Sequence, residues 1–322
     1  MIYHEKSYGG KIMEYRTKFK PEGCLFKTTE NQRYISSVQG LKEAMESGRI
    51  LEARVSLCTG DHDLIVDFPW GKGMIPREEG ALGIREGITR DIALISRVNK
   101  PVCFKVIRLK EEKNGAVTAW LSRRAAQEEF AVERLSQLKP GDVIEAKVTH
   151  LEQFGAFVDV GCGVASMIPI DAISVSRISH PSDRFVLGQM IRTIVKAKDG
   201  TRLYLTHKEL LGTWEENIES FHVGETVSGI VRSVESYGIF VEIAPNLAGL
   251  AELRSDVFPG QNVSVYIKAL IPEKMKVKLV IVDTCEDGSE SRGFTYFTDA
   301  DHISTWSYSP KCCRREIISV FE

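Results

Sequence analysis

Three stretches of the chain alternate apolar and polar residues with a period of two, which is typical of a strand with one packed and one wet face. They begin at Ser47 (SGRILEARV), Pro140 (PGDVIEAKV) and Val223 (VGETVSGIV). Each is followed by further short apolar runs that glycines separate. The pattern therefore predicts one β-rich unit that occurs three times.

The three stretches also keep a common spacing beyond their first strand. Each copy has a methionine or leucine twenty-six residues after its first glycine. Counted from Gly48, Gly141 and Gly224, these residues are Met74, Met167 and Leu250. Such self-similarity is the signature of a repeated structural module. We therefore expect corresponding residues of the copies to occupy corresponding places in the fold.

The second copy shows how many strands a module contains. After its first strand, FGAFVDVG (Phe154–Gly161) and GVASMIP (Gly163–Pro169) give two more, and Gly188–Thr206 gives two around an Asp199-Gly200 turn. Five short strands, with a longer excursion between the third and fourth, fit the Greek-key barrel known as the OB-fold. The expected fold class is all-β, with three tandem five-stranded OB-fold barrels joined by short helical linkers.

Helix-forming segments mark the boundaries between the copies. SRRAAQEEFAVERL (Ser122–Leu135) is rich in helix formers, and TWEE at Thr213 is a capping box. The tail opens with EDGSES, which predicts a flexible joint, and its later aromatic and β-branched residues are compatible with a hairpin. The expected division is an N-terminal arm (1–35), a first barrel (36–126), a helical linker (127–135), a second barrel (136–212), a helical linker (213–221), a third barrel (222–283) and a C-terminal tail (284–322).

Composition and charge exclude several classes of protein. The 42 Lys and Arg residues balance 44 Asp and Glu, so net charge gives no general argument for nucleic acid. No apolar run is long enough to span a bilayer, and the first residues lack the apolar core of a signal peptide. The scattered cysteines have no zinc-ligand spacing. We expect a cytoplasmic protein with reduced thiols, no metal, no cofactor and no membrane partner.

Motifs of common enzyme classes are also missing from the sequence. It contains no phosphate-binding P-loop, no nucleophile elbow, no HExxH zinc motif and no kinase signature. Asp61–Asp63 and Asp299–His302 hold metal-capable side chains, but each run is short and isolated. We therefore expect no catalytic activity.

The glycine-acidic start, the FGAFVDVG strand and the closing R-x-x-L-T together resemble the S1 RNA-binding domain. The resemblance is strong for Gly141–Leu211, good for Gly224–Val282 and weak for Gly48–Ala125. The whole arrangement is similar to the shorter ribosomal-S1-like proteins of bacteria. It implies OB-folds that bind single-stranded RNA with modest sequence preference and that are not catalytic.

The resemblance also implies a binding face with two aromatic residues in the FGAF strand and an acidic and a basic residue around the last hairpin. The family's histidine in the next segment is replaced by Pro169 in the second copy and by Glu252 in the third. A carboxylate there repels RNA, so the third copy is expected to bind more weakly. The expected RNA-binding residues are Phe154, Phe157, Asp199 and Arg202, with Lys147 as an added cation, in the second copy, and Tyr237, Phe240 and Lys276 in the third.

Elementary physical chemistry agrees with this assignment. Bases of single-stranded RNA stack on aromatic faces, each worth about 1–3 kcal/mol, and cations follow the phosphates. Two aromatic residues three positions apart share a face only if the strand bends, which Gly155 and Gly238 favour. The alternative is that both rings belong to the core. The recurrence of FGAF as YGIF at the same offset favours at least one stacking residue in each copy.

The first copy differs from the other two. It has Asp61, Leu64, Pro76 and Thr118 at the four matching positions, and none of these is a stacking residue. It carries fifteen Lys and Arg against twelve Asp and Glu between residues 36 and 126. We therefore expect this barrel to do something other than hold RNA. Its basic residues form either a solvated face of a structural module or a surface that docks on a ribosome or an RNA-processing complex. The predicted function is binding of single-stranded RNA in translation or RNA metabolism; a protein-interaction scaffold and an accessory subunit of an RNA-processing complex remain alternatives.

Overall fold

The computed structural model describes residues 18–111, 115–200, 202–285 and 293–322. The chain divides into two compact units, one reaching to Leu138 together with Asp159–Ala165, the other formed by Lys139–Val158 and Ser166–Glu322. Residues 1–17 of the expected N-terminal arm and the EDGSES joint lie outside the described residues.

The described strands form three closed five-stranded barrels and one small sheet. The first barrel has β1 (Leu51–Cys58), β2 (Leu64–Phe68), β3 (Gly71–Ile75), β4 (Pro101–Glu111) and β5 (Val117–Ser122). The second has β6 (Val143–Glu152), β7 (Gly155–Asp159), β8 (Ala165–Pro169), β9 (Met190–Asp199) and β10 (Arg202–Thr206). The third has β11 (Thr226–Glu235), β12 (Gly238–Ala244), β13 (Leu247–Ala251), β14 (Asn262–Ile271) and β15 (Lys276–Cys285). Each barrel has the strand order 1-2-3-5-4 of the OB-fold, so the expected fold class is confirmed.

Short helices and a tail hairpin complete the described fold. The helices are α1 (Thr29–Ile35), α2 (Val38–Glu46), α3 (Ile92–Ile95), α4 (Arg123–Glu133) and α5 (Trp214–Ile218), with 3₁₀ turns at Arg77–Glu79, Leu135–Gln137, Ile170–Ala172, Pro181–Asp183, Lys208–Leu211 and Pro272–Lys274. Thr213 and Glu216 cap α5 reciprocally, as the capping box predicts. Strands β16 (Thr305–Ser307) and β17 (Ile318–Val320) pair antiparallel. No helix among the described residues is long and apolar enough to cross a membrane.

The pairing of the third and fifth strands confirms that the repeat is structural. These two strands run parallel in every barrel. At the repeat positions the pairs are Met74 with Trp120, Met167 with Tyr204, and Leu250 with Lys278. Trp120, Tyr204 and Lys278 are therefore equivalent residues on the three barrels.

The first barrel departs by one residue from the expected alignment. Met74 pairs with Ile65, whereas the equivalent Leu250 pairs with Phe240. Ile65, not Leu64, therefore stands where the other copies have their second aromatic residue. A one-residue shift turns a side chain to the other face of a strand, and Leu64 is accordingly buried in the core.

Buried charges tie the first unit together. Arg123 donates from Nε to Glu22 Oε1 at 2.6 Å and from Nη2 to Glu22 Oε2 at 3.1 Å, and both side chains are almost inaccessible. The same Glu22 accepts the backbone N–H of Cys103 at 3.1 Å. Its own backbone N–H donates to Asp159 Oδ2 at 2.7 Å. Residues 18–35 are thereby anchored through an ion pair that has little access to water.

A second buried carboxyl lies close to this ion pair. Glu52 on β1 accepts the backbone N–H groups of Gly23, Leu25 and Phe26 at 2.7–3.1 Å on one oxygen. Burial, with the nearby charge of Glu22, raises the pKa of Glu52 to about 8. The Glu52 carboxyl is therefore largely protonated at neutral pH.

An ion network inside the second unit joins the second barrel to the third. Arg184, from the excursion between β8 and β9, contacts Glu242 of β12 at 2.5 Å and the carbonyl of Pro245 at 2.8 Å. Arg232 of β11 contacts Glu242 and Asp183, each at 3.0 Å. Because Arg184 and Glu242 are almost fully buried, this network holds the two barrels at a fixed offset.

The tail packs against both of these barrels. Tyr308 donates its hydroxyl to the carbonyl of Asn246 at 2.5 Å. The backbone N–H of Ile303 donates to the carbonyl of Gly141 at 2.9 Å, and His302 contacts Asp142 at 2.8 Å. The tail is thus an integral part of the second unit.

A histidine is enclosed by rings where the tail meets the second barrel. The centroid of the His207 ring lies 4.9 Å from those of Phe185 and Phe294 and 5.7 Å from that of Tyr296. Its Nδ1 lies 3.0 Å from the carbonyl oxygen of Ile173. Burial lowers the pKa of His207 to about 4, so the ring is neutral at physiological pH.

Candidate nucleic-acid interface

The two aromatic residues of the second barrel lie outside its core. Phe154 precedes β7 and is 56% exposed, and Phe157 on β7 is half-buried. Their ring centroids are 6.0 Å apart with an interplanar angle of 88°. A side chain at Gly155 would place its Cβ 2.5 Å from the carbonyl oxygen of Ile168, so only glycine lets the chain pass there. The strand start therefore turns both rings toward one surface, with His150 6.3 Å from Phe157.

The third barrel repeats this arrangement. Tyr237 precedes β12 and is 68% exposed, and Phe240 is half-buried. The ring centroids are 6.1 Å apart with an interplanar angle of 87°. Gly238 has a φ of +151°, and a Cβ there would lie 2.7 Å from the carbonyl oxygen of Ala251. Two barrels with different residues thus build the same perpendicular pair of rings.

The residues expected around the last hairpin of the second barrel are exposed and adjacent. Asp199 ends β9 and pairs directly with Arg202, which begins β10. Two residues further on, Tyr204 is 48% exposed and pairs with Met167. The sequence reasoning missed Tyr204, although the alternation RLYLT, with Leu203 buried, places Tyr204 on the same side of β10 as Arg202.

The added cation Lys147 is placed differently. It is half-buried on β6 and pairs with Met190 at the start of β9. His150, three residues later on the same strand, has its ring centroid 6.3 Å from that of Phe157. An RNA contact by Lys147 stays a prediction.

A pocket of about 500 Å³ surrounds the aromatic pair of the third barrel. Its walls combine both rings, apolar residues of β13 and three lysines, and they also include one carboxylate. The side chains that carry this chemistry are Tyr237, Phe240, Leu250, Met275, Lys268, Lys276, Lys278 and Glu252. The predicted Lys276 thus lies beside the predicted rings. Lys278 was missed from the sequence, although the alternation in KMKVKL places it on the same side of β15 as Lys276.

These surfaces suit a planar apolar group next to an anion. Edge-to-face rings leave faces free for a base to stack, and arginine or lysine side chains at the rim can contact phosphates. No group of three His, Cys, Asp or Glu suitable for a metal occurs in the part of the chain that the structure describes.

Known proteins match this chain over most of its length. Residues 137–208 match the S1 RNA binding domain. The small ribosomal subunit protein bS1 of Staphylococcus haemolyticus is 30% identical over 308 residues, which cover 88% of this chain and 76% of that protein. The chain belongs to the bS1 family.

Another member of the bS1 family gives a similar match. The protein of Staphylococcus aureus strain COL is 32% identical over 271 residues, 78% of this chain and 66% of that protein. The chain thus spans just under two thirds of the length of the S. aureus relatives. A multidomain protein with nucleic acid binding domains from Streptococcus pneumoniae covers 73% of each chain with a TM-score of 0.23 and 11% identity, too low to carry an argument.

The segment that matches the S1 RNA binding domain coincides with the second barrel. Residues 137–208 include all five strands from β6 to β10 and therefore Phe154, Phe157, Asp199 and Arg202. The matches are to ribosomal proteins and to a nucleic-acid-binding domain.

Proposed function

We propose that this bS1-family chain binds single-stranded RNA through the second and third barrels, and that it does so in translation or RNA metabolism. The observation that carries the proposal is the exposed, perpendicular ring pair at the same place on both barrels. The family likeness supports association with the ribosome in the cytoplasm.

Exposure of the rings distinguishes this proposal from a purely structural role. A core aromatic residue is buried, yet Phe154 and Tyr237 are more than half exposed. The glycine after each ring allows a backbone approach that other residues forbid. Both barrels therefore present large apolar rings to solvent, as expected for surfaces that stack bases.

The two barrels should not bind equally. Lys268, Lys276 and Lys278 favour phosphates in the third-barrel pocket, but Glu252 lines the same pocket and opposes them. The described face of the second barrel adds Tyr204 beside Arg202. We assign the stronger RNA contact to the second barrel, within residues 136–212, and the weaker one to residues 222–283.

Removing either ring of the second barrel should weaken RNA binding. We expect Phe154→Ala and Phe157→Ala each to cost about 1–3 kcal/mol of binding free energy where the ring stacks on a base. This corresponds to an increase of about 5- to 150-fold in Kd. The measurement is fluorescence anisotropy of labelled oligouridylate and oligoadenylate with the full chain.

A matched control separates stacking from general apolar contact. Phe258 of the third barrel is 61% exposed but lies outside the pocket lining, so Phe258→Ala should leave Kd unchanged. Circular dichroism must show that all variants fold. Parent-like binding by folded Phe154→Ala and Phe157→Ala proteins would refute the aromatic-face proposal.

Salt should weaken binding only moderately. If Arg202 and the lysines around Lys276 neutralise about two to four phosphates, the slope of log K against log salt is about −1.5 to −3. Stacking releases no counterions, so part of the affinity persists at high salt. Titrations over a range of KCl concentrations give the slope. A value steeper than about −5 would mean that basic surfaces elsewhere carry the RNA.

A further inference from the structure

The first barrel presents an aromatic residue on the face where the other two barrels carry their rings. Trp120 is half-buried on β5 and is the equivalent of Tyr204 and Lys278. It pairs with Met74, as Tyr204 pairs with Met167. A methionine beside an aromatic residue thus occurs at the same register in two barrels.

A cross-strand row extends on both sides of Trp120. Strand pairing places Leu57, Ile65, Met74, Trp120 and Arg108 in sequence across the barrel surface. The same row in the third barrel contains Phe240 and Leu250 next to Lys278. The row in the first barrel is therefore built at the location of the proposed RNA face.

Cations accompany Trp120. The guanidinium carbon of Arg108 lies 4.1 Å from the centroid of the Trp120 ring, within the range of a cation–π contact. A second row lies two residues along β5 from Trp120. In it, Thr118 pairs with Lys72 on one side and with Lys110 on the other. Asp67, opposite Lys72, is the carboxylate of this second row. Arg108 thus contacts the indole, and two exposed lysines lie in the neighbouring row of the same sheet.

We propose that Trp120 and Arg108 form a nucleobase-stacking site on the first barrel, so that this barrel contacts single-stranded RNA as well. The inference rests on the proposed RNA-binding function and extends it to a barrel without the FGAF pattern. An indole offers the largest stacking surface of any side chain, and a guanidinium both stacks on bases and contacts phosphates. Lys72 and Lys110, both in the row next to Trp120, would contact the phosphate of a neighbouring nucleotide.

An acidic apolar protein segment is the other ligand that this chemistry allows. The exposed aliphatic side chains Leu57 and Ile107 favour such a segment. The shared register with Tyr204, the repeated methionine and the arginine over the indole favour RNA. Fluorescence quenching by RNA or by an acidic peptide distinguishes the two ligands.

The test uses the intrinsic fluorescence of the full chain. Of its four tryptophans, Trp214 and Trp306 are buried, and Trp70 is stacked 5.1 Å from Phe68 with its Nε1 bonded to the carbonyl of Ile35. Trp120 is therefore the indole expected to respond to a stacked base. Unlabelled oligouridylate should quench emission of the parent protein, and Trp120→Phe should abolish the quenching.

Affinity variants complete the test. Trp120→Phe keeps a stacking ring and should bind labelled oligouridylate within about twofold of the parent. Trp120→Ala should raise Kd by about fivefold or more, because a stacked base contributes about 1–3 kcal/mol. Arg108→Gln provides a second variant that removes the cation and keeps the indole, and it should reduce the quenching.

The outcomes separate this inference from the proposed function. Two results overturn the first-barrel site and leave the other barrels as the RNA contact. In one, RNA raises the anisotropy but does not quench tryptophan emission. In the other, RNA still quenches the emission of Trp120→Phe. The first-barrel RNA site is also overturned if an amphipathic Glu/Leu peptide alters Trp120 emission and oligouridylate leaves that emission unchanged. The ligand of this face is then a protein segment. No anisotropy change with any oligonucleotide refutes the proposed function itself.

Discussion

Replacement of Arg123 by methionine should destabilise the first unit by about 3–5 kcal/mol, because it leaves the buried carboxylate of Glu22 with only the longer, partly exposed contact to Arg97. Arg123 donates to both oxygens of Glu22 and to the carbonyls of Gly80 and Gly163. Methionine fills a similar volume but satisfies none of these acceptors. Urea unfolding, combined with hydrogen exchange of the amides in α4, measures the loss.

An exposed ion pair in the same unit provides the control. Arg33 contacts Glu43 at 3.4 Å, and its side chain is 70% exposed. Exposed pairs contribute about 0–1 kcal/mol, so Arg33→Met should have little effect. Equal losses in the two variants would show that the Glu22–Arg123 pair does not anchor residues 18–35.

Acidification from pH 7 to pH 4.5 should remove about 2–3 kcal/mol from the stability of the second unit through His207 alone. The pKa of His207 is about 4 in the folded chain, below its ordinary value of 6.5. The unfolded chain therefore takes up a proton between these values that the folded chain does not. Stability contributed by neutral His207 is present above pH 6.5 and declines as the pH falls toward 4.

Urea unfolding at each pH is measured by tryptophan fluorescence in a chain that carries Trp70→Phe and Trp120→Phe. The signal then comes from Trp214 and Trp306, which are buried in this unit. His207→Phe keeps an aromatic ring against Phe185 and Phe294 and should flatten the dependence between pH 4.5 and 6.5. His222, which is exposed beside Glu225, is the control, and His222→Gln should keep the parent slope. If His207→Phe loses stability with falling pH as steeply as the parent protein does, then His207 is not the cause of the pH dependence.

Strand alternation and the repeat predicted the barrels because these signals are local. Each strand has its own period of two, and the common offset of Met74, Met167 and Leu250 fixed where the copies correspond. The FGAF and YGIF strands likewise predicted exposed rings, since the glycine that permits them is their direct neighbour. Whether these rings bind RNA stays a prediction.

The rest of the candidate site depends on pairing between distant strands. Alternation along β10 indicates that Tyr204 shares a side with Arg202, but only the parallel pairing of the third and fifth strands brings Trp120 and Tyr204 beside the methionines of the aromatic face. The shift that places Ile65 opposite Met74 combines one additional residue between β1 and β2 of the first barrel with a bulge between Glu242 and Ala244 of the third. An alignment without gaps therefore selected Leu64, a core residue, for this position.

The buried charges were beyond the reach of sequence reasoning for a similar reason. Glu22 meets Arg123 across 101 residues and Asp159 across 137 residues. Each is an ordinary charged residue in its own segment, and only the folded chain brings them together. Burial of such groups is decided by tertiary packing, which local patterns do not encode.

The ion network of Arg184, Arg232 and Glu242 also determines how the second and third barrels would share one RNA strand. With the barrels held at a fixed offset, a strand bound to one barrel meets the other at a high effective concentration. A strand too short to reach both barrels gains nothing from this proximity. Affinity should therefore rise steeply at one threshold length of RNA, and loosening the network should blur that threshold without altering either binding face.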